Sequence, residues 1–268
     1  MRNLSNIGRI FYGLAIAAIG FLTIFYRDFP YFMIPPKHTW ITDHVLLVYL
    51  YGALLLLAGV CIVLGKKLLP ASLLLGTGLL LIFCFYFIPY QLMALSNYRH
   101  FGDWENAAKE LALAGGALVI AGLDNNGRSV VGFLRKLIPL GTILFALTII
   151  SFSIDHFVYA HEAADYVPAW VPNHVMWLYI TGSALLAAGI AILFDIKRKL
   201  GATLLGVMIF IWVIILHIPR VIAGPMDNSG ESSSAFLALA YCGIAFVIAG
   251  AARSAPGSEN AGRRGQLW

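Results

Sequence analysis

The run HVLLVYLYGALLLLAGVCIVLG, residues 44–65, holds no charged side chain over twenty-two consecutive positions. As a helix it would extend about 33 Å, enough to cross the roughly 30 Å hydrocarbon core of a bilayer. It does not alternate apolar and polar residues, as a barrel strand must, and a helix pairs all of its backbone N–H and C=O groups internally. The fold turns on how often such a run recurs.

Beside the stretch at 44–64, apolar runs occupy approximately 8–26, 69–90, 107–123, 133–154, 174–194, 200–222 and 234–251. The composition agrees: 60% of the 268 residues are hydrophobic and 12% charged, whereas a soluble domain carries about 25% charged residues. The chain reads as an all-α integral membrane protein with eight transmembrane helices and the lipid bilayer as its solvent. Met1 to Arg9 followed by apolar residues through Tyr26 resembles a signal peptide but lacks an A-x-A pattern, so an uncleaved first helix is expected.

The net charge is +5, but no basic face is interleaved with aromatics, so nucleic acid is not expected as a partner. Location matters more than the sum. Arg2, Arg9, Lys66, Lys67, Arg128, Arg135, Lys136, Lys197, Arg198, Lys199, Arg253, Arg263 and Arg264 fall in the N-terminus, in alternate loops and in the C-terminal tail, all on one side. By the positive-inside rule that side is cytoplasmic and holds both termini.

A shift of 130 positions aligns His44–Tyr90 with His174–Arg220 without a gap, with about fifteen identities in forty-seven positions. His44 pairs with His174, Tyr49 with Tyr179, Gly52 with Gly182, Gly59 with Gly189, Gly76 with Gly206 and Pro89 with Pro219. A shift of 128 then pairs Ala112 with Ala240, Gly115 with Gly243 and Ile120-Ala121-Gly122 with Ile248-Ala249-Gly250. The pattern predicts two tandem parallel-repeat four-helix bundles, related by a pseudo-twofold axis along the membrane normal. The first repeat spans 1–123, a polar cytoplasmic linker 124–131, the second repeat 132–252 and a basic cytoplasmic tail 253–268. The repeated glycines are read as close helix contacts.

The segment Val167-Pro168-Ala169-Trp170-Val171-Pro172-Asn173-His174, followed by Trp177-Leu178-Tyr179-Ile180-Thr181-Gly182 and later His217-Ile218-Pro219, resembles the DoxX-like membrane protein family. In the first half Ile34-Pro35-Pro36 stands in place of the proline-rich run and Phe87 in place of His217. The resemblance implies four-helix units in a bacterial inner (plasma) membrane and an accessory role in a membrane redox system. It also implies quinone as a ligand and a redox protein as a partner. A homo-oligomer is compatible with the same reading.

All seven histidines, His38, His44, His100, His156, His161, His174 and His217, map to the outer loops or outer helix ends. His156, His174 and His217 are expected to converge there with Asp155, Tyr179 and Arg220, the candidate cofactor-binding set. Ionisable groups near hydrocarbon are costly and suggest function, while an interfacial position where side chains snorkel relieves the cost. Glu110 and Lys109, at the outer start of the fourth run, are expected to snorkel.

No H-x-x-x-H or H-x-x-E-H spacing anchors a metal, and Cys61, Cys84 and Cys242 form no C-x-x-C pair. A quinone or another flat apolar ligand suits the layer better, with a His or Tyr bonding a carbonyl oxygen and Phe157, Trp177 and Trp212 lining the pocket. The alternatives are a non-catalytic scaffold and a small-solute transporter. The latter lacks charged or carboxamide groups at the centres of the helices that would line a pathway.

Overall fold

The computed structural model describes residues 2–34, 43–93, 101–124, 132–224 and 230–252. Among them every regular element is helical. The α-helices are α1 (Arg2–Tyr26), α2 (Val45–Leu64), α3 (Leu68–Ile82), α4 (Ile88–Met93), α5 (Glu105–Ala121), α6 (Ile138–Val158), α7 (Ala160–Ala163), α8 (His174–Leu193), α9 (Arg198–Trp212), α10 (Ile218–Ala223) and α11 (Glu231–Ala251). The linker from residue 125, the tail from residue 253, and His38, Trp40, Arg99 and His100 lie outside the described residues.

Seven helical runs are long and apolar enough to cross a membrane: Asn3–Tyr26, Val45–Leu64, Leu68–Met93, Phe133–Val158, His174–Leu193, Arg198–Ala223 and Glu231–Ala251. The expected run at 107–123 is helical as α5 but only 17 residues long. Large apolar side chains such as Leu54, Phe85 and Ile222 are 66%, 78% and 80% exposed. A belt of such groups is unfavourable in water and suits lipid.

Two of the long runs, α3–α4 and α9–α10, are interrupted by π-helical turns at Phe83–Phe87 and Val213–His217. Pro89 and Pro219 each lie two residues beyond such a turn. A helical proline offers no N–H to the carbonyl four residues earlier and crowds it with its ring, so the backbone widens just upstream. The proline thereby sets how the last turns, with His217 and Arg220, leave the bundle.

In the bundle α1 packs against α2 and α11, while α5 packs against α3, α6 and α11. Helix α8 lies between α6 and α9, and α9 also touches α11. The centre is the contact of α5 with α11, whose residues Ala112–Leu118 and Ala240–Ala249 are continuously buried. The seam between α1 and α11 rests on Gly8 and Gly243, because a Cβ on Gly243 would stand 2.6 Å from the Gly8 carbonyl oxygen. Between α5 and α6 the same arrangement recurs, with a Cβ on Gly141 falling 2.6 Å from the Gly115 carbonyl oxygen. Side-chain hydroxyls add bonds across other contacts. Tyr12 donates to the Leu113 carbonyl at 2.7 Å, and Ser153 to the Gly182 carbonyl at 2.7 Å. Arg9 donates to the Ile62 and Val63 carbonyls, where a cation closes the C-terminal end of α2.

These seams give a sharp test by substitution. Gly243→Ala puts its methyl against backbone that cannot move aside, and thermal unfolding in detergent should show a loss of about 1–3 kcal/mol, the usual range for overpacking. Gly78→Ala, where a Cβ meets nothing within 4 Å, should be neutral or stabilising by roughly 0.5–1 kcal/mol through helix propensity. Equal effects at the two positions would refute the close-approach account.

Candidate functional site

Where α8 begins, α9–α10 ends, and the 165–169 segment folds over both, a groove of about 410 Å³ opens at one end of the bundle. Its polar lining includes His174, Tyr166 and Arg220, and its apolar lining Pro168, Leu216 and Pro219. His174 is there because it is the first residue of α8, after Asn173 in the left-handed conformation. Arg220 is there because Pro219 and the π turn direct α10 toward this segment.

The Arg220 guanidinium is held from two sides. It donates from one terminal nitrogen to the Glu231 carboxylate on α11, and its plane lies 4.6 Å from the centre of the Tyr166 ring, within cation–π range. Its Nε has no hydrogen-bond partner among the described residues. The charge of the guanidinium is thus balanced by Glu231, with the Nε itself enclosed. His217 sits beside the groove, sensing the charges of Arg220 and Glu231, with a buried Nδ1 that also has no partner.

The other members of the expected layer go elsewhere. His156 is tied into its own helix, its Nδ1 2.7 Å from the Phe152 carbonyl oxygen, with its Cβ against Gly182. Asp155 faces α5, where Glu105 and Lys109 are the charges that reach its carboxylate. Tyr179 stacks on Phe157 with ring centroids 6.0 Å apart and is 42% exposed on the lipid side. The six residues therefore divide into His174 and Arg220 lining the groove with His217 beside it, a seam group of Asp155 and His156, and an outlying Tyr179. The reason is angular: residues at one depth on different helices meet only if their faces turn toward each other.

Tyr166, which lines the groove, and Glu231, which pairs with Arg220, did not stand out in the sequence. Their signal is a polar residue at the same end of the bundle as Arg220, which marks depth but not neighbourhood. Glu110 departs from its expected snorkelling. It is fully buried, and both carboxylate oxygens lack a partner among the described residues. Its side chain is too short to follow Lys109, which does reach out, pairing with Glu105 at 2.8 Å over the Tyr31 ring. Around Glu110 the neighbouring hydroxyls are already used, Tyr51 donating to Met33 Sδ at 2.8 Å and Tyr12 to the Leu113 carbonyl.

Among the described residues no three His, Cys, Asp or Glu side chains gather closely enough to hold a metal ion, and Cys61, Cys84 and Cys242 are free thiols. The groove is apolar with a few convergent polar groups, the usual make-up of a small-molecule site.

Fold and groove together define an all-α protein with the build of a multi-pass membrane protein and a small polar site at one end of its bundle. A family model described as a domain of unknown function (DUF8561) matches residues 145–249, less than half of the chain, from within α6 to near the end of α11. No curated protein matches the chain, and no solved structure does.

Glu110 supplies the prediction here. A buried carboxyl with no partner costs about 1–3 kcal/mol or more, and an apolar side chain of similar volume removes that cost. Glu110→Met should raise the melting temperature of the detergent-solubilised protein. A lowered melting temperature would mean that the carboxyl is satisfied and contributes to the fold.

Proposed function

We propose that the chain is a DoxX-like integral membrane protein, built from two tandem four-helix units with eight transmembrane segments. In this reading it serves as an accessory, quinone-interacting subunit of a membrane redox system. Several packing relations support the duplication. Exchanging α1 with α6, α2 with α8, α3 with α9 and α5 with α11 turns each seam into another seam. The exchange carries the pair Gly8–Gly243 onto Gly141–Gly115 and one π turn with its proline onto the other. In this reading α5 is the eighth span, and the centrality of a 17-residue helix follows from its pairing with α11. The distribution of Lys and Arg supports cytoplasmic termini and, with them, a groove on the outer side of an inner membrane.

The observation that carries the functional reading is the groove itself. A quinone head is flat and apolar and offers carbonyl oxygens as acceptors only. Arg220 and the His174 ring are the polar N–H-bearing groups on the wall of one apolar groove, while Ile215, Leu216 and Ala223 continue the lining toward which an isoprenoid tail would run. Electron transfer itself needs a redox partner protein, since the chain's own groups offer acid–base and hydrogen-bonding chemistry.

Protein purified in mild detergent should carry about one quinone per chain, detectable by organic extraction and mass spectrometry. Arg220→Gln and His174→Ala should each reduce occupancy about tenfold, the effect of losing one hydrogen bond of roughly 1.5 kcal/mol to a buried acceptor. His156→Ala, on the seam side, should leave occupancy unchanged. Uniform occupancy across all three variants, or an empty wild-type protein that takes up no added quinone, would remove the redox reading.

A further inference from the structure

At the opposite end of the bundle, a second groove of about 330 Å³ runs between α8 and α9. Its floor is Ala184, Ala187, Ala188 and Ala191 on α8, and Leu204 and Met208 are among the residues on its α9 side. From Ala184 to Ala191 the floor extends about 10 Å along the helix. At its mouth stands Lys197, the N-cap of α9, held in the left-handed conformation at φ 48°.

The mouth is electropositive for three independent reasons. Lys197 lines it, and Lys199 follows in the first turn of α9; both side chains are exposed. Arg198 between them is already engaged, with Asp195 at 3.0 Å and the Ile192 carbonyl at 3.3 Å, which leaves the two lysines as the charges available to a ligand. The first turn of α9, a 15-residue helix, contains no acidic residue and its N-cap makes no side-chain bond, so the positive end of its dipole adds to the lysines, with Asp195 beside it taken up by Arg198.

The groove below is also specific to this half. At the positions aligned by the 130-residue shift, Leu54, Leu57, Ala58 and Cys61 stand where α8 has four alanines. Two leucines have thus become alanines under an otherwise similar hairpin. A shallow apolar trough that ends at a cluster of donors matches one chemistry, a hydrocarbon chain joined to a phosphate.

We propose that this groove is a binding site for an anionic phospholipid, with one acyl chain lying on the alanine floor and the phosphate held by Lys197, Lys199 and the N-terminus of α9. Basic residues at a groove between membrane helices are a recognised means of holding anionic headgroups, at about 1 kcal/mol per basic residue near the surface. The site is independent of the groove at Arg220, from which the length of α8 separates it.

The full chain in detergent can be titrated with phosphatidylglycerol and with phosphatidylcholine of the same acyl chains, and retained lipid counted by native mass spectrometry. Wild-type protein should hold one phosphatidylglycerol in preference to phosphatidylcholine. Lys197→Gln and Lys199→Gln should each lower that preference about fivefold, the equivalent of about 1 kcal/mol. Ala187→Leu should fill the trough and weaken binding of both lipids while leaving the charges in place. Inorganic phosphate added alone distinguishes the sources of the anion: competition at millimolar concentration with no lipid preference would make this a phosphate site and overturn the lipid proposal. Equal retention of the two lipids, or a phosphatidylglycerol preference untouched by both lysine variants, would overturn it as well. Circular dichroism of each variant identifies loss of fold, and Ala187→Ser, which keeps the trough nearly empty, should bind as wild type does.

Discussion

The arrangement depends on backbone meeting backbone at glycine seams, which join α1 to α2 at Gly13–Gly59 and Gly20–Gly52 as well as α1 to α11 and α5 to α6. In lipid, helices gain nothing by hiding apolar surface, since the surroundings are as apolar as the side chains. What remains is dispersion and weak polar contact, both of which fall steeply with distance. Gly8 against Gly243 and Gly115 against Gly141 remove the side chains that would hold α1 from α11 and α5 from α6. The central contact of α5 with α11 then follows, and with it the burial of Tyr12 and Phe145, both fully enclosed. With the centre closed in this way, the two grooves described lie toward opposite ends of the bundle.

Polar groups follow the same geometry. A hydroxyl buried between helices is tolerable when a carbonyl lies within reach, as for Tyr12 on Leu113 and Ser153 on Gly182. Charged groups cluster where water or headgroups are near, with Arg220 and Glu231 at one end and Lys197, Arg198 and Asp195 at the other. Glu110 and Asp155 are exceptions, with both carboxylate oxygens of each enclosed and without a partner among the described residues; the residue aligned with Glu110 is Ala238.

The helical class was legible because hydrocarbon imposes length and apolarity on every crossing segment, and those are properties of a run of letters. The glycines were legible as contacts for a similar reason: Gly115 and Gly243 recur at one spacing, and each proves to be half of a seam. The site was legible in depth and not in azimuth. Counting residues from a helix end places Asp155, His156, His174 and His217 near one level, but only the rotation of each helix decides that His174 and Arg220 line one groove while Asp155 turns toward the charges of α5. Membrane helices hide that rotation well, because residues facing lipid are as apolar as those facing the core; α2 and α8 are hydrophobic all round. Partners joined across a loop, such as Arg220 and Glu231, leave no periodic trace at all.

Some differences between the aligned segments bear directly on the two grooves. Phe87 against His217 and Tyr90 against Arg220 change the polarity of one rim, and Leu54 and Leu57 against Ala184 and Ala187 change the shape of the other. Between the rims the aligned glycines are kept, since any Cβ there would collide with a neighbouring helix, as at Gly59 and Gly189. The close contacts thus hold these glycines in place, while residues that line the grooves are free to differ. Both grooves therefore lie in the second half, on the surface that the seams leave free.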